Sequence, residues 1–200
     1  MISFDPTGKR IYLTDLGLDR IMIYTLDKVT GKLIPFNKNG ISLPEGTGPR
    51  HFVFSMDGSK MYVIGELKST VTVFNVDQTD GLVLTQTISA LSDNYKGTSY
   101  AADIHIGKTG EFLYGSNRGE NSIVVFRIAK DESLTLAGHA SCGGDWPRNF
   151  AIDPSGKYLL SANQKSGNIS IMRIDNKSGL PSKTIMQVNL VSPTCLKFLK

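Results

Sequence analysis

The sequence predicts an all-β protein, a β-propeller of four-stranded antiparallel blades. Three observations predict it. A glycine turn recurs as Phe4-Asp5-Pro6-Thr7-Gly8-Lys9, Phe54-Ser55-Met56-Asp57-Gly58-Ser59, Ile106-Gly107-Lys108-Thr109-Gly110-Glu111 and Ile152-Asp153-Pro154-Ser155-Gly156-Lys157. Its glycines stand 50, 52 and 46 residues apart, a spacing that marks a repeated structural unit. Between the turns, β-branched and aromatic residues form short runs of period two, as strands do, and no amphipathic helix of useful length interrupts them. Four antiparallel strands per unit at this period build a propeller.

Each unit is justified in chain order. After the glycine turn comes a second strand: Ile11-Tyr12-Leu13, Met61-Tyr62-Val63-Ile64, Phe112-Leu113-Tyr114 and Tyr158-Leu159-Leu160. A short polar turn leads to a third strand: Ile21-Met22-Ile23-Tyr24, Val71-Thr72-Val73-Phe74, Ile123-Val124-Val125-Phe126 and Ile169-Ser170-Ile171-Met172. A second glycine turn follows at Thr30-Gly31-Lys32, Thr79-Asp80-Gly81 and Lys177-Ser178-Gly179, replaced in the third unit by Lys130-Asp131-Glu132. A weaker fourth strand closes each unit. The repeats span about residues 1–47, 48–98, 99–145 and 146–187, and the stretch 188–200 reads as one more inner strand, with Pro193 placed as Pro49 and Pro147 are. Met1-Ile2-Ser3-Phe4-Asp5 reads as the middle of an inner strand.

Twenty-two Lys and Arg against 18 Asp and Glu give a formal charge of +4 over 200 residues. The excess forms no basic stripe and no aromatic–basic interleaving, so no nucleic-acid partner is expected; a small anionic substrate suits it. Two cysteines, Cys142 and Cys195, have no metal or CxxC spacing and read as idle thiols of a reducing compartment. The start has no basic, apolar leader, and no stretch reaches the roughly 20 apolar residues of a membrane span. A cytoplasmic location and no membrane partner are expected. No metal triad, phosphate loop or Ser-His-Asp set is apparent, and no metal or cofactor is expected.

In a propeller blade the start of the inner strand and the end of the second strand meet on one face, near the axis. Counted from the turn glycines, Arg50, Ala102 and Arg148 lie eight residues before, and His51, Asp103 and Asn149 seven before. Glu66, Arg118 and Gln164 lie eight after. The repeat keeps its apolar frame and varies these ends, which places a site on that face. Asp15 and Asn163 read as turn caps, His105 and His139 as strand or loop surface, and Trp146 as a stacking residue at the entrance of its blade.

The chemistry follows from the residue types. Arginines offer forks for carboxylate or phosphate and stay charged at neutral pH. Arg50, Arg118 and Arg148 are expected to bind anion and oxyanion, a donor to an oxyanion contributing about 10²–10³-fold. Glu66 is expected as general base, with His51 sharing proton transfer, a step worth about 10²–10⁴-fold. Asn149, Gln164 and Asp103 are expected to bind substrate. The set suits hydrolysis of an activated ester of an anionic sugar acid. Two other readings stand beside it: a lactonising or lactone-opening enzyme that uses the same cationic ring on a dicarboxylate, and a propeller that binds without catalysis.

These residues sit in motifs with a family pattern. Asp15-Leu16-Gly17-Leu18-Asp19-Arg20-Ile21, Gly48-Pro49-Arg50-His51, Glu66-Leu67-Lys68-Ser69-Thr70-Val71, Ala102-Asp103-Ile104-His105, Ser116-Asn117-Arg118-Gly119, Trp146-Pro147-Arg148-Asn149-Phe150 and Ala162-Asn163-Gln164 occur in order. The chain so resembles the lactonase family of seven-bladed propellers, the bacterial-type 6-phosphogluconolactonases. The resemblance implies opening of 6-phospho-D-glucono-1,5-lactone to 6-phosphogluconate in the pentose phosphate pathway. The family is also similar to propeller enzymes that cyclise carboxymuconate, where a histidine, two arginines and a glutamate are held to act. Arg50, Arg118 and Glu66 match the arginines and the glutamate; the position of that histidine would fall before Met1. Four blades and a strand of a seven-bladed fold imply the C-terminal portion of a longer protein, and open blade edges predict self-association.

Overall fold

The four glycine turns adopt the left-handed backbone that their sequence requires. In the computed structural model, which describes residues 1–37, 40–77, 79 and 81–199, Gly8, Gly58, Gly110 and Gly156 have φ of 68°, 76°, 76° and 77°. Their N–H groups donate to the carbonyls of Asp5, Ser55, Gly107 and Asp153 at 2.8–3.0 Å. Where the third unit lacks its second glycine, Glu132 takes the positive φ of 62°. Its carbonyl accepts the Tyr62 hydroxyl of the preceding blade at 3.0 Å. Asp80 of the second unit's turn and Lys200 of the final stretch lie outside the described residues.

The strands form four antiparallel sheets in chain order. The first holds β1 (Ile2–Phe4), β2 (Arg10–Asp15), β3 (Arg20–Leu26), β4 (Leu33–Pro35) and β5 (Ile41–Ser42), the last two being short pieces that both pair with β3. The second holds β6 (Pro49–Phe54), β7 (Lys60–Gly65), β8 (Thr70–Asp77) and β9 (Gly81–Ser89). The third holds β10 (Tyr100–Ile106), β11 (Phe112–Arg118), β12 (Ser122–Ile128) and β13 (Leu134–Ser141). The fourth holds β14 (Pro147–Ile152), β15 (Tyr158–Asn163), β16 (Asn168–Ile174) and β17 (Pro181–Asn189).

The period-two pattern decides how the sheets stack. Successive side chains of a strand point to opposite faces. On β7, Met61 and Val63 pack with Tyr12, Ile21 and Ile23 of the first sheet, while Tyr62 and Ile64 pack with Ile104, Leu113 and Val124 of the third. Likewise on β11, Leu113 faces the second sheet, and Phe112 and Tyr114 face Phe150, Leu159 and Met172 of the fourth. The three hydrophobic clusters are thus three inter-blade interfaces, which is why the middle strands read as nearly continuous apolar runs. Burying a side chain such as Phe74 or Ile64 contributes about 1.5–3 kcal/mol, against about 0–1 kcal/mol for an exposed ion pair. Apolar contact between the faces, rather than surface charge, holds one blade to the next.

The final stretch begins later than expected. Val188 and Asn189 finish β17, opposite Ile169 and Asn168, and residues 190–199 pair with no strand among the described residues. An extended segment becomes a strand only when a neighbour lends its N–H and C=O groups. This one is instead tied to β14 through a side chain: the Leu196 N–H donates to Asn149 Oδ1 at 2.6 Å.

Candidate active site

Each inner strand carries its polar residues on an irregularity. Between β6 and β7 the register shifts from Pro49 to His51, which leaves Arg50 as the extra residue. Between β14 and β15 it shifts from Pro147 to Asn149, which leaves Arg148. Between β10 and β11 the shift falls between Ala101 and Ile104, around Ala102 and Asp103. A bulge bends its strand and re-aims a side chain. The same local device thus turns Arg50 and Arg148, and in the third blade Asp103 one position further on, out of the blade-to-blade pattern.

Glu66 follows β7 in the turn that returns to this face, its N–H bonded to the Gly48 carbonyl and its own carbonyl accepting from Ala101 N–H. Its carboxylate lies between two arginines of different blades. Oε2 is 2.9 Å from Arg50 Nε, and Oε1 is 2.9 Å from Arg118 Nη2. Arg118, at the end of β11, is only 4% exposed. It is fixed further by the carbonyls of Tyr100 and Ala101 at 3.1 and 3.0 Å. Arg50 donates to the Ala102 carbonyl. Burial first, then the Arg118 and Arg148 cations, pull the Arg50 guanidinium below its ordinary pKa, opposed by Glu66 and Asp103. An arginine remains charged throughout, so positive charge is concentrated around one carboxylate.

Beside this lies a second centre, built on Asp103. Its Oδ1 accepts from His51 Nδ1 at 2.7 Å and from the Ile104 N–H at 3.0 Å. Its Oδ2 is 3.0 Å from His105 Nε2, 3.3 Å from the Phe150 N–H, and accepts from the Asn149 amide. The inner strands of three blades, β6, β10 and β14, therefore meet on one carboxylate. Burial alone pushes the Asp103 carboxyl up, but hydrogen bonds and charge from His105 and His51 outweigh it and hold it well below the usual carboxylate range. Asp103 was expected to bind substrate; it is 3% exposed, with both oxygens taken by the protein, which suits it to orient its neighbours. Arg50 Nη1 lies 3.2 Å from His51 Nε2 and so links the two centres.

Arg148 forms no hydrogen bond or ion pair among the described residues, and its charge is felt at Arg50. Asn149 is spent between Asp103 and Leu196. Gln164 joins neither centre through its side chain; its N–H bonds the Trp146 carbonyl. Asp15 caps its turn by accepting from Gly17 and Leu18 N–H, and Asn163 is buried between the Cys142 carbonyl and Ser170. Trp146, at a φ of 68°, lies between the Lys165 ammonium at 3.3 Å and the Arg118 guanidinium at 5.6 Å. His105 is more than strand surface: it holds Asp103 and packs edge-on against Phe150 at 4.8 Å. A signal was present, since residues two apart on a strand share a face and His105 follows Asp103 by two. Among the described residues no three His, Cys, Asp or Glu side chains group as metal ligands. A cleft of about 280 Å³ opens at the far ends of these strands, between Lys108, Tyr114, Ile152 and Gly156, and holds none of the residues above.

Similarity to known proteins runs along nearly all of the chain. The family model described as "Lactonase, 7-bladed beta-propeller" matches residues 1–198. The chain is 42% identical over 186 residues to a 6-phosphogluconolactonase of Formosa agariphila, covering 88% of this chain and 51% of that one. It is 31% identical over 199 residues to a 6-phosphogluconolactonase of Bacillus subtilis, covering 98% and 56%. Among solved structures, the periplasmic gluconolactonase of Pseudomonas aeruginosa superposes with a TM-score of 0.93 at 30% identity, covering all of this chain and 56% of that one. The chain spans about half the length of the curated relatives it matches.

Proposed function

The chain belongs to the lactonase family of seven-bladed β-propellers, and from that premise we propose that it acts in hydrolysis of a sugar lactone, 6-phospho-D-glucono-1,5-lactone being the substrate that the curated relatives' name suggests. The observation that carries the reading is the pair of arginines ordered on Glu66. In this reading Arg50 and Arg118 face the lactone carbonyl, whose oxygen gains charge as water attacks. Arg148, with no partner among the described residues, takes the anionic group of the sugar acid. Preorganised cationic donors favour the charged transition state over the neutral ester. The proton of the attacking water has two candidate acceptors, Glu66, expected from the sequence, and His51.

The test is proton release on adding freshly made 6-phosphogluconolactone to the folded chain. The reading expects release faster than the spontaneous rate, with saturation in lactone. A folded chain that leaves the spontaneous rate unchanged sinks it.

A further inference from the structure

We infer that His51 is the proton acceptor of this hydrolysis and that Asp103 is the positioning residue that presents it. The inference rests on the lactone-hydrolase reading and assigns the role that reading leaves between two side chains. Glu66 is poorly placed for it, because both its oxygens hold arginines at 2.9 Å. A proton on Glu66 would remove the one carboxylate facing two largely buried guanidiniums. His51 holds no arginine through an ion pair. Its Nδ1 is committed to Asp103 at 2.7 Å, which settles the proton on Nδ1 and makes Nε2 the acceptor. Arg50 Nη1 lies 3.2 Å from Nε2 and 3.5 Å from Nδ1, alongside the ring rather than on one nitrogen, and its donation to Nε2 is what an incoming water must displace. The ring is 30% exposed, so it borders the arginines and is open to water.

The step balances with one shuttled proton. Nε2 takes a proton from water as the water oxygen bonds to the lactone carbonyl carbon, and the carbonyl electron pair moves onto its oxygen, facing the arginines. As the carbonyl re-forms, the bond from that carbon to the ring oxygen breaks. Nε2–H gives its proton to the departing ring oxygen, leaving a hydroxyl, and the new carboxylic acid ionises to solvent. Asp103 stays ionised and holds the imidazole through both transfers.

Two charged groups touch the His51 ring, Asp103 on β10 and Arg50 on β6. His105, on the same strand as Asp103, shares its carboxylate, and Glu66 after β7 holds Arg50.

The experiment reads the tautomer of the His51 ring by nitrogen NMR in the full chain and in its Asp103→Asn form, and measures kcat and KM for 6-phosphogluconolactone in both and in His51→Gln. Asp103→Asn is expected to lose the fixed preference for Nδ1–H and to lower kcat while KM holds. His51→Gln is expected to lose about 10²–10⁴-fold in kcat, the usual worth of a positioned acid–base group, again with KM held. Asp103 ties three blades, so His51→Gln, at a partly exposed side chain, keeps the test open if Asp103→Asn does not fold. A His51 tautomer unchanged by Asp103→Asn, or a kcat unmoved by His51→Gln, overturns the inference while the lactonase reading stands. Absence of turnover in the folded parent chain overturns that reading, and the inference with it.

Discussion

Glu66, just after β7, lies with Oε2 2.9 Å from Nε of Arg50 on β6 of the same blade, and the second oxygen of the same carboxylate holds Arg118 from the next blade. One acidic side chain thus fixes two cationic ones across a blade boundary. Glu66→Gln keeps the shape and removes the charge. It is expected to destabilise the fold by about 1–3 kcal/mol, as loss of a partner does for largely buried polar groups. It is also expected to raise KM for an anionic lactone through disordered arginines. Urea unfolding and steady-state kinetics read the two effects; a variant as stable as the parent counts against the clamp.

The Asp103 carboxyl is held below its ordinary range in the folded protein. The unfolded chain binds that proton near pH 4, the reference value for an aspartate. The stability it contributes is therefore fully present well above that pH and is lost as pH falls from there toward the folded value. For this group, the gap in unfolding free energy between the parent and Asp103→Asn is expected to narrow as pH falls below about 4. A gap that widens on acidification would contradict the assignment.

Cys142 is fully buried, and burial pushes its thiol up to about 11, while Cys195 is exposed. Only the thiolate is a good nucleophile. At pH 8, a thiol reagent is expected to modify one cysteine of the folded chain quickly and the second only with unfolding. Two fast equivalents would place Cys142 at the surface.

Gly119 follows Arg118 at a φ of 104°, and a β-carbon there would run into the Thr98 carbonyl oxygen. Gly119→Ala is expected to cost roughly 1–3 kcal/mol through strained backbone alone, and to move Arg118 away from Glu66. A thermal melt unchanged from the parent would show that the turn adapts.

Ile185, Met186 and Val188 on β17 are 48–59% exposed, with Leu190 and Val191 beyond them, and Ile2 and Phe4 are 57% and 48% exposed on β1. Apolar residues grouped at the outer sheets favour contact with another surface. The chain is expected to self-associate with rising concentration, read by sedimentation. A single monomeric species up to millimolar protein would exclude it.

How much was legible follows from what is local. The glycine turns, the alternating runs and their spacing lie within a few residues of one another, so the four sheets and their order were readable. The register from each glycine also brought Arg50, His51, Glu66, Asp103, Arg118 and Arg148 to one face. The link from His105 to Asp103 was readable as a two-residue spacing on one strand. The extent of the final stretch was not, because pairing depends on what lies beside it; nor was the division of the first sheet's last strand into β4 and β5.

The sequence by itself determined a repeat of four-stranded blades and a cationic face, because turn chemistry and period two act over short distances. Only the tertiary structure decided the partners: Glu66 between Arg50 and Arg118, and Asp103 among His51, His105 and Asn149. These groups sit up to about fifty residues apart, on strands re-aimed by bulges. Which lone pair is spent and which is left for chemistry is set by packing one blade against the next.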